Sequence, residues 1–559
     1  VTHRAALIAS CLALASSAVY ARQGSASLSP VSLADEVLYQ IMPIAWRDAD
    51  NDELRYGDFA GMTAGLDYLR DLGVTGVWMT PIFPSPAYHG YQHMEADKVN
   101  PRLGTEAQFL DFVKAAHDRG MKVFIDFVAY GINQESSYFQ DAHNNPASPY
   151  TSWLAFKDPK NESYQGYTFR TWNGSEVGFV HWNLNSPEPR KLVTDWAVHW
   201  LDPNADGDTS DGVDGFRLDH VWYEYKEGPN GWGYSIKDFW TPWKTALRKV
   251  NPRVVTFAEQ AEWETTGARL IPAFDAAFTK PFETAARDAI RTGKADALYD
   301  SIHEAQRGLQ ALPRRDRGTY LAILGDHDVD RLASAVEPSK NPDPAMRRPK
   351  LGAFILMTQL YPPVVYMGDE IGMLGVRRKG STDANDIPVR EPFKWKAVAS
   401  PPMSDYWQAS RQAVEGAFSK DSDGRSVEEQ AGVKGSLLET YRRLIALRRA
   451  SAALRNGEYI SLKAEDAPSL WLFLRRTDDE MVLVAANLAD APATTRIRPP
   501  RMIGRWEAWN IERIFDLTTG GGEGDGATLK PVEGGASLNI PPLGAAIFHF
   551  GRAPAPSPR

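Results

Sequence analysis

Short apolar runs of β type recur along this chain, helical stretches lie between them, and several of the runs stop against an acid. Val37–Ile41 and Val74–Met79 are the first two runs, and Gly61–Leu72 between them sets Leu66, Leu69 and Leu72 on one helical face. Glu106–Arg119 reads as the next helix and Lys122–Val128 as the third strand. Gly215–Leu218, Val254–Ala258, Thr319–Leu324 and Val364–Tyr366 continue the series. This alternation predicts an α/β fold with a parallel sheet, because a parallel crossover needs a long connection and a helix supplies it. In a closed (β/α)8 barrel the C-terminal strand ends open at one shared mouth, so residues distant in sequence meet there.

Two stretches break the alternation. Residues 129–187, rich in Asn, Ser, Pro, Tyr and Trp, read as an inserted, loop-rich domain. From Tyr459 to Phe550 the pattern turns to period two, as in Leu470–Leu474 and Met481–Ala485, which predicts an antiparallel β domain. Between them Ser436–Arg449 is a clear helix. The opening THRAALIASCLALASSAVYA has a short basic head, an apolar stretch too short to span a bilayer, and small residues for cleavage. The expected layout is a signal peptide at 1–21, a flexible lead-in at 22–34, and a barrel from 35–128 and 188–455. An insertion at 129–187, a β domain at 456–551 and a tail at 552–559 complete it. Export to the periplasm or the medium is expected. Cys11 is the one cysteine, so an intrachain disulfide and a Cys/His zinc cluster are excluded. A net charge of -9 gives no electrostatic help toward nucleic acid, and no later stretch is apolar enough for a membrane span.

Three acids stand at such run ends. Asp219 ends DGFRLD, Glu259 follows VVTFA, and Asp328 follows LAILGDH. Singly, each reads as an ordinary strand-end ion pair or helix cap. Together they fit the cleavage of a glycosidic bond with retention, which needs a carboxylate nucleophile and a protonated acid about 5 Å apart. A third acid can hold sugar hydroxyls as the ring flattens. Arg217, two residues before Asp219, points the same way on a strand and favours the ionised nucleophile. Phe257 and Ala258 give Glu259 an apolar approach, which favours the protonated form.

The motifs now resemble glycoside hydrolase family 13, the α-amylase family. YQIMP with GDFAGM is similar to its first strand and loop, PSPAYHGYQ to its second-loop motif, and DGFRLD, FAEQ, GDHD and PPVVYMGDE to the motifs after strands four, five, seven and eight. The likeness runs in order over about residues 36–550. It implies a (β/α)8 TIM barrel with an inserted B domain and a C-terminal antiparallel β-sandwich. It further implies Asp219 as nucleophile, Glu259 as acid/base and Asp328 as transition-state stabiliser. Tyr91, His89, Arg217, His327, Asp126 and His220 are the expected sugar-binding or orienting residues, with Tyr91 the stacking platform. Trp222, Tyr223, Tyr225, Trp232 and Tyr234 are candidates for lining the leaving-sugar side.

The chain also departs from the family pattern. Asp126 is kept in the third-strand motif, but Tyr130 stands where the family has Asn and Gly131 where it has His, so the innermost sugar must be bound differently. Asn183 replaces a common Asp, Tyr223 a common His, and Asp326 the usual Asn. Tyr130, Asn183 and Tyr223 fall at the family's calcium positions between domains, and Tyr is a poor calcium ligand, so that site is expected to be missing. Two acidic loops offer oxygen ligands at spacing two instead. One is Asp48, Asp50 and Asp52 with Asp58; the other is Asp202, Asn204, Asp206 and Asp208 with Asp211. Hard oxygen donors suit calcium, so a structural calcium is expected and no organic cofactor. The expected substrate is a starch-like α-glucan or maltooligosaccharide. A glucosidase or glucosyltransferase on short α-glucosides and an inactive glucan-binding relative are the alternatives.

Overall fold

The computed structural model describes residues 32–50, 55–227, 232–338, 342–410, 414–498, 500, 509–517 and 526–552. The expected signal peptide, the lead-in up to residue 31, Asp52 and the final residues 553–559 lie outside them. Eight parallel strands form one sheet: β1 Leu38–Ile41, β2 Gly76–Met79, β3 Lys122–Phe127, β4 Gly215–Val221, β5 Val255–Gln260, β6 Ala276–Phe278, β7 Thr319–Leu321 and β8 Val364–Tyr366. From β1 to β7 each strand pairs with the next, and β8 pairs with β1. The ring closes between β7 and β8, where the Ala322 N–H donates to Pro362 O at 3.0 Å and the Val364 N–H to Ala322 O at 2.9 Å. The expected TIM barrel is present.

Alternation along the strands sets what faces the barrel axis. Trp78, Phe124, Phe257 and Phe278 pack edge-on or tilted, with centroids 5.4 to 6.0 Å apart. The Arg217 guanidinium lies above this apolar floor, 5.2 Å from the Trp78 ring centroid.

Two local readings need correction, and one barrel strand had no reading at all. The helix expected over Gly61–Leu72 is two helices, Phe59–Ala64 and Leu66–Leu72, hinged at Gly65. β6 is three residues, AAF, too short to show periodicity. β7 stops at Leu321, so Asp328 sits on the following loop and not at a ladder end.

The insertion carries a three-stranded antiparallel sheet of Gly131–Asn133, Glu176–His181 and Gly166–Arg170. It is tied to the loop after β8 by an isolated parallel bridge between Arg170 and Thr382. Trp172 also stacks on Tyr88 of the loop after β2 at 5.0 Å. The C-terminal region holds a five-stranded antiparallel sheet, Glu458–Ser461 to Trp509–Asp516, and a three-stranded one of Ala493–Ile497, Gly535–Ile540 and Thr528–Val532. Leu472, Leu483, Leu538, Ile540 and Phe548 belong to the core between those sheets. None of the described helices is long and apolar enough to cross a membrane.

Candidate active site

Arg217 on β4 organises the mouth of the barrel. It is 1% exposed. Its Nη1 donates to Asp126 Oδ1 at 2.8 Å and Oδ2 at 2.9 Å, and to Asp219 Oδ1 at 2.7 Å. Its Nη2 donates to Glu259 Oε2 at 2.6 Å. One guanidinium thus bridges carboxylates from β3, β4 and β5, and the planar fork of arginine suits that better than lysine. An oxygen of Asp219, an oxygen of Glu259 and a ring nitrogen of His220 lie within 4.8 Å of one another. That spacing fits a retaining pair, since an inverting pair needs room for a water between the carboxylates.

The two acids differ in environment. Glu259 is 1% exposed, and among the described residues its Oε1 has no hydrogen-bond partner. Burial pushes its pKa up, with Arg217 and His220 working against the rise. An unpartnered carboxyl oxygen above an apolar floor suits a protonated acid whose O–H awaits an acceptor. Asp219 keeps one oxygen on Arg217 and receives the Tyr130 hydroxyl on the other at 3.3 Å. Asp126 is fully buried, and burial raises its pKa to about 7 despite Arg217.

Asp328 reaches the same mouth from its loop. Burial works against its charge, yet His327 and the Arg390 guanidinium, 2.9 Å from Oδ1, hold its carboxylate below the ordinary range. Burial lowers the His327 pKa to about 4, so its ring is neutral near pH 7. Its Nδ1 meets Gln40 Nε2 at 2.7 Å and its Nε2 meets the Tyr91 hydroxyl at 2.6 Å. The Tyr91 hydroxyl donates on to Asp126 Oδ2 at 2.9 Å, and its ring lies parallel to that of His327, 5.1 Å away. A chain of polar contacts therefore links β1 and β3 with the loops after β2 and β7.

His89, Tyr91, Asp219, His220, His327 and Asp328 line one open pocket, with Arg217 and Asp126 beneath. Asp219, Asp328 and the sugar-binding candidates meet at this pocket, whereas Glu259 is not among its lining residues and lies buried behind it, held by Arg217 and the His220 N–H. Tyr130, Trp263, Asp386 and Arg390 join them and were not picked out as site residues. Tyr130 carried a signal, as a departure inside a motif. Arg390, in the loop after β8, carried none, because nothing in VREPF marks a residue aimed back at the barrel mouth.

Of the aromatic candidates after Asp219, Tyr234 is buried and donates to the His220 carbonyl at 3.3 Å, and Tyr225 bonds His181 at 3.0 Å. The Trp222 ring packs on Tyr130 at 5.7 Å. Tyr223 is 39% exposed, beneath the Arg269 guanidinium. The Trp232 side chain lies outside the described residues. Asn183 donates to Ser152 O at 3.0 Å inside the B domain.

The acidic loops differ. Asp48, Asp50 and Asp58 bring a carboxylate oxygen each within 4.8 Å of one another, and Asp48 and Asp58 are buried. Asp58 also caps the following helix through Gly61 N at 2.5 Å. Such an oxygen cluster fits a hard divalent cation. In the second loop the side chains of Asp202, Asn204, Asp206 and Asp208 accept from the loop's own N–H groups at 2.8 to 3.1 Å, and Asp211 receives the Asn204 amide at 2.8 Å. Among the described residues its acids do not converge as those of the first loop do. The spacing-two pattern there builds Asx turns.

Comparison with known proteins follows the same lines. The profile of the α-amylase catalytic domain matches residues 40–457. Alpha-amylase 3 of Dictyoglomus thermophilum is 25% identical over 81% of this chain and 84% of its own. The oligo-1,6-glucosidase of Parageobacillus thermoglucosidasius is 24% identical over 83% of this chain and 91% of its own. The crystal structure of the α-amylase from H. orenii superposes with a TM-score of 0.72 at 23% identity, covering 92% of this chain and 99% of that one.

Proposed function

The chain belongs to the α-amylase family, glycoside hydrolase family 13, and from that membership we propose that it cleaves α-glucosidic bonds of α-glucans with retention. Asp219 attacks the anomeric carbon, and Glu259 gives its proton to the leaving oxygen. Water, or a second sugar, then attacks the glycosyl–Asp219 ester while Glu259 takes the proton back. Asp328 holds ring hydroxyls as positive charge develops. The carrying observation is the Arg217 fork, which holds Asp219 and Glu259 at the spacing a covalent intermediate requires. Product analysis on starch, maltotriose, maltose and sucrose, with proton NMR of the first product, tests this. The α-anomer should appear first, and β-anomer first would overturn retention.

A second reading, action on short α-glucosides, draws on the wall where Arg170 bridges to Thr382, which joins the B domain to the loop after β8 beside the pocket. Faster release of glucose from maltose than of oligosaccharides from starch would favour it.

We also propose that the first acidic loop holds calcium through Asp48, Asp50 and Asp58, with Asp52 beside them in sequence. The ion would pin the loop after β1. Calcium should then raise the thermal midpoint and a chelator lower it, since a ligand bound only by the folded state stabilises it. Asp48→Asn should abolish the response, and a wild-type midpoint unmoved by calcium would remove the site.

A further inference from the structure

We propose that His220 is a positioning residue that acts as a shared counter-charge, pairing with Asp219 before the glycosidic bond breaks and with Glu259 after it. The inference rests on the retaining reading above.

It starts from a backbone irregularity. β4 and β5 run in register from Phe257 opposite Arg217 to Ala258 opposite Leu218, then resume at Gln260 opposite Val221. Asp219 and His220 therefore face the single residue Glu259, a β-bulge at the reacting carboxylates. His220 adopts φ +43°. Glycine takes that conformation freely, whereas a β-carbon is disfavoured in it. A strained residue held at a site points to a role for its side chain.

The side chain meets that expectation. It is 44% exposed and lines the pocket with Asp219 and Asp328. Its Nδ1 is 3.7 Å from Asp219 Oδ2 and 3.3 Å from the Tyr130 hydroxyl. The His220 backbone N–H donates to Glu259 Oε2 at 3.3 Å. The groups facing the imidazole are Asp219 on β4, Tyr130 after β3, Glu259 on β5, Arg217 below and Asp328 across the pocket. The Asp219 charge raises its pKa, and burial and Arg217 oppose the rise.

The reaction moves a negative charge between its two neighbours. In the first step the Asp219–C1 bond forms and the C1–O bond to the leaving sugar breaks. The Glu259 proton passes to that oxygen, so Asp219 becomes a neutral ester and Glu259 an anion. In the second step water attacks C1, its proton goes to Glu259, and the Asp219 carboxylate leaves. Arg217 cannot follow the charge, because it is buried and fixed on three carboxylates at once. The half-exposed His220 ring has room to turn toward whichever acid is ionised.

The test compares wild type, His220→Gln and His220→Gly on maltotriose and 4-nitrophenyl α-maltoside, with Asp219→Asn as the blank. Wild-type turnover above that blank upholds the enzyme reading by itself, and the His220 assignment is judged on the two variants. Both should lose about 10-fold in kcat, the scale of one charge-assisted hydrogen bond. In His220→Gln the basic limb of kcat/KM should move to higher pH, because a cation near Glu259 has gone. In His220→Gly the thermal midpoint should hold or rise, because the strained φ is relieved. Wild-type kcat with an unmoved basic limb would overturn the proposal. So would a midpoint falling together with kcat in both variants, which is the mark of a merely structural residue.

Discussion

Arg217 ties together two acids a few ångströms apart, and burial rather than its charge sets Glu259 apart. Its two terminal nitrogens divide their bonds, Nη1 to Asp126 and Asp219 and Nη2 to Glu259. Burial raises Glu259 against the pull of Arg217, and among the described residues its second oxygen has no donor. Asp219→Asn and Glu259→Gln should each lower kcat by roughly 10³-fold or more, with thermal midpoints close to wild type. Near-normal turnover in either would remove that residue from its role. The pH profile follows from the direction of the Glu259 shift. The acid works protonated and its pKa lies above the ordinary carboxylate value of about 4.3, so kcat/KM should fall as pH rises through that raised value. A basic limb at an ordinary carboxylate pKa would contradict the burial argument. These acids were legible in the sequence because each follows an apolar run within a motif. Arg390 on Asp328 was not legible, because a loop's path over a barrel mouth depends on tertiary packing and leaves no periodic trace.

At the scale of elements, the departures from the family pattern become one local rebuild. The short strand Gly131–Asn133 pairs with Glu176–His181 so closely that a β-carbon on Gly131 would sit 2.3 Å from the Phe179 ring and 2.6 Å from Val180 O. The family's His has no room there. Tyr130, one residue earlier, instead reaches Asp219 and His220, and Phe179 packs against its ring at 5.3 Å. Gly131→Ala should therefore push this strand away, costing about 1–3 kcal/mol as overpacking does, and should lower kcat through the displaced Tyr130. Denaturant midpoints and steady-state kinetics measure both, and a variant as stable and active as wild type would refute the close fit. The sequence announced the substitution at 131 but not its cause. The clash involves Phe179, 48 residues away in a loop-rich insertion with no alternation strong enough to fix register. For the opposite reason most barrel strands could be read directly: runs such as GVWM and KVFIDF are largely apolar, buried on both faces and preceded by a helix. β6, only three residues long, fell below that limit.

At the scale of the whole molecule, period two in the C-terminal domain does two jobs. In Leu470–Arg476, Leu470, Leu472 and Leu474 enter the core between the domain's own sheets, while Trp471 and Phe473 join the barrel's core. The next strand repeats the division, with Leu483 inward and Val482 and Val484 toward the barrel. Hydrogen bonds cross the same seam. The Tyr299 hydroxyl contacts the carbonyls of Leu470 and Leu472 at 3.2 Å, and Arg475 donates to Gln359 O at 2.9 Å. The sequence showed an antiparallel domain there but not which alternate face met the barrel, since both faces are apolar. Trp471, Phe473, Val482 and Val484 each contribute about 1.5–3 kcal/mol by burial. Their sum is comparable with the roughly 5–15 kcal/mol that keeps a folded protein folded, so the barrel cannot shed this cover and remain stable. A chain ending at Asn456 should be insoluble or unfolded, and the full chain should melt in one calorimetric transition whose van't Hoff and calorimetric enthalpies agree. Two separated transitions, or a soluble and active truncated barrel, would show that the seam joins two independent folding units.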